Sequence, residues 1–264
     1  MSEHMITWDQ DADGVVTLTM DDPQARVNTM NERYQDAMDA VVDRLEAERD
    51  TVTGVVLTSA KKTFFAGGDL NELIKVTKAD AKPFYDMILN IKGQLRRLET
   101  LGIPVVAALN GSALGGGLEI ALSCDMIVAN RNAKFGIPEV KRGLAAAAGG
   151  LIRMPRQMPI RVAMEFALTG EFFGAERAHQ LGIINRVTDG PALDAALELA
   201  AAIGANGPLA VKASKQVVVE SRLWPEDQMW KKQQEIVGPV FVSEDAREGA
   251  AAFAEKRAPN WKGK

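Results

Sequence analysis

The feature that most constrains this chain is a glycine triplet, Gly115-Gly116-Gly117, set between an apolar run, Ile103 to Leu109, and a helix-like run, Glu119-Ile120-Ala121-Leu122. A continuous apolar strand of that kind suits a sheet covered on both faces. A strand that turns sharply into a helix belongs to an α/β architecture. Glycine at such a turn supplies positive φ or lets two backbones approach closely. It also leaves bare N–H groups at a helix N-terminus, where free donors and the dipole favour an anion. The triplet is neither G-x-G-x-x-G nor a phosphate loop closed by Lys-Ser/Thr.

Strand and helix patterns alternate around this turn. Gly14 to Met20 sets Val16, Leu18 and Met20 against Val15, Thr17 and Thr19, the alternation of a strand. Thr29 and Glu32 resemble a capping box, and Met38, Val41, Val42 and Leu45 follow at helical spacing. Gly54 to Ser59 reads as a buried strand, the Gly67-Gly68 turn follows, and Asp69 is placed to cap a helix from Leu70. Further helices are expected over Ala79 to Leu101, Gly115 to Ser123, Ala163 to Leu168 and Ala175 to Leu181. Strands are expected at Met126 to Ala129, Lys134 to Phe135 and Ile183 to Val187. From Pro191 only helical periodicity remains, punctuated by Gly207-Pro208, Trp224-Pro225 and Gly238-Pro239. The chain therefore divides into an α/β core, 1–190, and a helical region, 191–264, whose apolar side (Trp224, Met229, Trp230, Phe253) must pack on the core or on another subunit.

Composition excludes several classes. The 264 residues suffice for a full core, and mean hydropathy of −0.08 fits a globular protein. No apolar run approaches the roughly 20 residues that span a bilayer, and Met1 to Gln10 lacks an export signal pattern. The single Cys124 allows no internal disulfide and reads as a buried thiol, so the expected compartment is the cytoplasm. A net charge of −4 offers no general attraction to nucleic acid or anionic membrane. With only His4 and His179, metal sites and Ser-His triads are improbable. No G-x-S-x-G elbow occurs, and Ser59-Ala60-Lys61-Lys62 lacks the companions of an S-x-x-K enzyme.

Two glutamates stand out against that background. Glu119 closes the glycine turn and Glu139 ends Gly136-Ile137-Pro138-Glu139, twenty residues later. Taken singly, Glu119 suits any helix first turn and a loop glutamate is ordinarily solvated. Together, two carboxylates held close have divergent pKa values and provide one proton donor and one acceptor near neutrality. With N–H donors from Gly68 and Gly116 they would suit a carbonyl that must become an enolate.

Phe65-Ala66-Gly67-Gly68-Asp69-Leu70, the run from Asn110-Gly111 through Gly115-Gly116-Gly117-Leu118-Glu119 to Cys124-Asp125, and Phe135-Gly136-Ile137-Pro138-Glu139 resemble the crotonase, or enoyl-CoA hydratase/isomerase, family. Asn28-Thr29-Met30, Gly174-Ala175-Glu176-Arg177-Ala178, Leu181-Gly182-Ile183-Ile184-Asn185 and Glu255-Lys256-Arg257-Ala258-Pro259 extend the likeness over nearly the whole chain. The resemblance implies an α/β, crotonase-like spiral of repeated ββα units with a C-terminal helical oligomerisation region, as homotrimers or dimers of trimers. It implies an acyl-CoA thioester substrate and no cofactor beyond that CoA. The oxyanion hole falls on Gly68 and Gly116, with Glu139 serving the proton at C2 and Glu119 the water. The CoA groove falls on Ala66, Gly67, Gly68, Asp69, Leu70, Gly115 and Gly116, and the phosphates on Arg26, with Lys256 of a neighbouring subunit as a further cation. Retention of both glutamates favours an enoyl-CoA hydratase. A 3,2-enoyl-CoA isomerase and an idle CoA- or RNA-binding relative are the alternatives. One stretch departs from the hydratase pattern: Gly143-Leu144-Ala145-Ala146-Ala147-Ala148-Gly149-Gly150-Leu151 lacks the usual proline and threonine. Its alanines either widen the acyl pocket or allow close packing.

Overall fold

The computed structural model describes residues 4–264. The chain opens with a hairpin, β1 (Ile6–Gln10) against β2 (Val15–Met20), paired antiparallel from Ile6↔Met20 to Gln10↔Val16. The sequence reading did not include β1. Its Ile6 and Trp8 do alternate with Thr7 and Asp9, and Asp11 Oδ1 takes the N–H groups of Asp13 and Val15 to make the turn. Helix α1 (Glu32–Ala47) follows, then β3 (Gly54–Ser59), a short α2 (Leu70–Leu73) and the long α3 (Ala81–Thr100). The expected Thr29–Glu32 box does not form; Asn31 caps α1 by accepting the Tyr34 N–H at 2.9 Å. Asp69 caps α2 as expected, accepting the Asn71 N–H.

Next come β4 (Val105–Leu109), β5 (Ala113–Leu114), α4 (Gly116–Ala121), β6 (Met126–Asn130) and β7 (Lys134–Gly136). A 3₁₀ turn over Pro138–Arg142 leads to α5 (Gly150–Gln157), α6 (Ile160–Thr169), β8 (Phe173–Gly174), α7 (Ala175–Gln180) and β9 (Arg186–Thr188). Helix α5 was absent from the sequence reading: Pro155 lies inside it and two glycines open it, both cues that usually argue against a helix. Strand β9 starts later than expected. Asn185 Oδ1 takes the Ile127 N–H at 2.8 Å, a side chain standing where the ladder would otherwise begin.

Six strands form one sheet in the order β1-β2-β3-β4-β6-β9, parallel beyond the first pair. Side chains alternate across it. Val16, Leu18, Val55, Leu57, Val105, Ala107, Leu109 and Ile127 face the main core, with Tyr34, Met38, Val42 and Leu45 of α1 and Ile91, Leu95 and Leu98 of α3. Val15, Val56, Val106, Ala108 and Val128 face the other way, under Ala192, Ala196 and Ala200 of α8 (Ala192–Gly204). The apolar run of β4 thus faces protein on both sides, and alanine on α8 lets helix and sheet approach closely. Each fully buried Val or Leu contributes about 1.5–3 kcal/mol.

Strands β5, β7 and β8 make a second, small sheet. The chain ends in α9 (Pro208–Glu220), α10 (Met229–Phe241) and α11 (Glu244–Glu255). No described helix is long and apolar enough to cross a membrane.

Candidate active site

The small sheet explains how two glutamates twenty residues apart come to one place. Strands β5 and β7 run parallel, Ala113 opposite Phe135 and Leu114 opposite Gly136, and the Gly115 N–H bonds to Gly136 O at 2.8 Å. The segments leaving these strands therefore start side by side. One turns into α4 and carries Glu119; the other enters a 3₁₀ turn, not the expected loop, and carries Glu139.

The Gly67-Gly68 turn joins them through Phe65, which bridges Ala113 and accepts the Leu114 N–H at 3.1 Å. Phe65 is held edge-to-face by Tyr34, ring centres 4.9 Å apart. Below it, the Asn28 amide donates to Met20 O, Ser59 Oγ and Phe64 O and accepts the Asp22 N–H, tying β2 and β3 to the approach of the turn. Ser59 has a structural task here, its hydroxyl donating to Thr63 O. At Gly67 (φ 102°) a Cβ would come 3.1 Å from Leu114 O, so only glycine fits where the two turns meet. At Gly117 a Cβ would collide with Phe65 O and Cβ. Among the described residues, neither the Gly68 nor the Gly116 N–H has a backbone acceptor.

These parts surround a cavity of about 760 Å³. Ala66, Gly67, Gly68, Asp69, Leu70, Gly115, Gly116, Glu119 and Glu139 all line it. Arg26 and Lys256 do not; both are exposed elsewhere on the surface. Along α3 the apolar side chains divide: Leu95 and Leu98 enter the core, Phe84, Met87 and Ile88 line the cavity, and Ile91 does both. Of the alanine run, Ala145, Ala147 and Ala148 line the cavity and Ala146 packs in the core. Met30 and Gly150 are the residues that sequence reasoning missed in the site. Met30 packs so close to Gly116 that a Cβ there would stand 2.5 Å from its Sδ. Gly150 was visible only as part of the departure from the hydratase pattern.

Glu119 is 3% exposed, and its Oε1 accepts the Gly150 N–H at 2.7 Å. Burial raises its pKa above the ordinary 4.5, opposed by N–H groups of the Ala148–Gly150 segment and by the charge of Arg153. Glu139 is half-buried, and its Oε2 is enclosed without a hydrogen-bond partner among the described residues. Burial, reinforced by the neighbouring Glu119 charge, pushes its pKa up to about 7, with its own backbone N–H and Arg142 pulling the other way. One cavity thus holds two carboxylates, each with its pKa raised by burial, beside two N–H donors that no backbone acceptor among the described residues takes. Such a set can hold a developing oxyanion and exchange protons next to it.

Comparison with known proteins points the same way. Residues 10–264 match the enoyl-CoA hydratase/isomerase family. An enoyl-CoA hydratase of Mycobacterium tuberculosis is 39% identical over 92% of this chain and 91% of its own. A carnitinyl-CoA dehydratase of Proteus mirabilis is 34% identical over 95% of each. The crystal structure of an enoyl-CoA hydratase from Mycobacterium marinum superposes with a TM-score of 0.84 at 42% identity, covering 99% of this chain and 100% of that one. A spiral α/β core followed by terminal helices, two glycine turns and a shared cleft are accordingly those of an enzyme family, and the chain belongs to the enoyl-CoA hydratase/isomerase, or crotonase, family.

Proposed function

We propose that this chain is an enoyl-CoA hydratase that adds water reversibly across the 2,3 double bond of a trans-2-enoyl-CoA thioester. The observation that carries the reading is the pair Glu119 and Glu139 opening on one cavity beside the N–H groups of Gly68 and Gly116. In the forward direction the water oxygen attacks C3 while ionised Glu119 takes a water proton. The double-bond electrons move to the thioester oxygen, and the resulting enolate is held by the two glycine N–H groups. The carbonyl re-forms as C2 takes the proton of Glu139. Hydroxyl ends on C3 and hydrogen on C2, and the dyad has passed its proton from Glu139 to Glu119. No metal or redox cofactor enters these steps. The CoA portion would run over Ala66 to Leu70, and Arg26 could meet its phosphates only outside the cavity.

The test follows loss of the ultraviolet absorbance of the conjugated thioester when the protein meets crotonyl-CoA, with Glu139→Gln alongside. The variant is expected to lose roughly 10²–10⁴ in kcat; native turnover by Glu139→Gln would show the two-carboxylate mechanism to be wrong. A second reading, 3,2-enoyl-CoA isomerase, is favoured by Glu139 alone: a carboxyl near pKa 7 suits a single shuttle between C2 and C4. It requires Glu119→Gln to isomerise normally and hydrate nothing. We also infer self-association through the C-terminal helices, supported by the exposure of Trp230, Phe241 and Phe253.

A further inference from the structure

Behind Glu119 lies an ion pair that does not line the cavity. Arg153, on the first turns of α5, is 8% exposed. Its Nη1 donates to Ala148 O at 3.1 Å and its Nη2 to Glu99 Oε2 at 3.1 Å, and Glu99 also accepts from Arg96. A side chain on Gly149 (φ 110°) would collide with the Arg153 Nη1, so guanidinium and turn are in direct contact. The next residue of that turn, Gly150, donates to Glu119 Oε1, and a Cβ on Gly150 would stand 2.9 Å from Glu119 Cγ. The connection from Glu99 to Glu119 is therefore continuous: carboxylate, guanidinium, peptide, carboxylate.

We propose that Arg153, clamped by Glu99, is a positioning residue for Glu119: it fixes the Ala148–Gly150 turn so that the Gly150 N–H meets the carboxylate, and supplies the cation that offsets burial of its charge. The inference rests on the hydratase reading only in assigning Glu119 to the water. A guanidinium suits the task because its rigid fork reaches a carbonyl and a carboxylate at once. Glu139, itself influenced by Arg142, faces Glu119 on the cavity side, while Arg96, Cys124 and the Asp125–Lys215 pair face the Arg153–Glu99 pair. Glu99 stays ionised: burial opposes its charge, but Arg96 and Arg153 outweigh it. Arg153 is thus the cation that acts on Glu119.

The experiment titrates Glu119 directly, by carboxyl-carbon NMR of protein carrying isotope-labelled glutamate, the signal assigned with Glu119→Gln. Kinetics against pH on crotonyl-CoA accompany it. In Arg153→Met the Glu119 midpoint should move to higher pH, the acid limb of kcat/KM should follow, and kcat should fall by up to about 100-fold with KM unchanged. Glu99→Gln loosens the clamp while removing an anion, so it should lower kcat with KM unchanged and should not raise the Glu119 midpoint. Arg153→Lys should restore the midpoint but not kcat, since an ammonium carries the charge without the fork. A Glu119 midpoint unmoved in Arg153→Met, or a native kcat in Glu99→Gln, overturns the proposal. If Arg153→Met does not fold, Glu99→Gln and Arg153→Lys decide by the same readouts. A wild-type protein that hydrates no enoyl-CoA removes the hydratase reading, while the titration still decides whether Arg153 governs Glu119.

Discussion

Gly68 and Gly115 share a motif grammar in the sequence but differ in what their surroundings demand. A Cβ on Gly68 would meet nothing within 4 Å, whereas one on Gly115 (φ 53°) would collide with Glu139 Oε1. Gly68→Ala keeps its N–H and should retain most of the wild-type kcat. Gly115→Ala should displace the Glu139 carboxylate and approach the Glu139→Gln loss of roughly 10²–10⁴; steady-state kinetics of the two variants, side by side, check the contrast. The acidities make a second prediction. In the proposed mechanism the dyad only hands its proton across, so the singly protonated pair would be the active form in hydration and in dehydration. With Glu139 lifted to about 7, kcat/KM should fall as pH rises through about 7 in both directions. Profiles that differ in shape between directions, or an alkaline limb that survives in Glu139→Gln, would contradict it. Glycines and carboxylates were legible because their chemistry is written in short motifs. Arg26 was not placed at the cavity, and Gly150 contributes only a backbone N–H, which a residue-type pattern cannot reveal.

At the scale of elements, the site depends on strand ends being tied together, and Asn28 ties two of them, those of β2 and β3, to the approach of the Gly67-Gly68 turn. It is fully buried, and its amide serves Met20 O, Ser59 Oγ, Phe64 O and the Asp22 N–H. Asn28→Ala leaves the Asp22 N–H without that acceptor, at a cost of about 1–3 kcal/mol for a buried group left unpaired. A urea melt should show the midpoint lowered with an unchanged slope; a midpoint within error of wild type would mean the network relaxes around the loss. The sheet strands were legible because alternation and apolar runs report burial directly: β4 is apolar at every position since it faces α8 on one side and the main core on the other. The edge strand β1 was missed because its faces are only partly covered, and the missed α5 carries Pro155 and a glycine start. Its stability comes instead from packing of Met154 and from Arg153, tertiary terms that no local propensity contains.

The whole molecule leaves one face unfinished. Trp230 and Phe241 of α10 are each 75% exposed and Phe253 of α11 is 88% exposed, while Trp224 and Met229 are half-buried. These helices are nevertheless pinned. Buried Asp245 accepts the N–H groups of Lys262 and Gly263, and Trp261 Nε1 donates to Ala205 O, fastening the chain end across α11 to the α8–α9 junction. A rigid surface carrying large aromatics in water is the signature of a contact between molecules rather than of a loose tail. The sequence already required the apolar side of this region to pack on the core or on another subunit, and for Trp230 and Phe253 the core is not the partner within one chain. The crotonase resemblance implies trimers or dimers of trimers, and on that expectation sedimentation equilibrium should give a mass of three or six times 28.5 kDa. Joint replacement of Phe241→Asp and Phe253→Asp should shift it toward a single chain of unchanged far-ultraviolet circular dichroism, because neither ring supports the core it leaves. A wild-type protein sedimenting as one chain would remove the assembly reading and require these aromatics to meet a different partner.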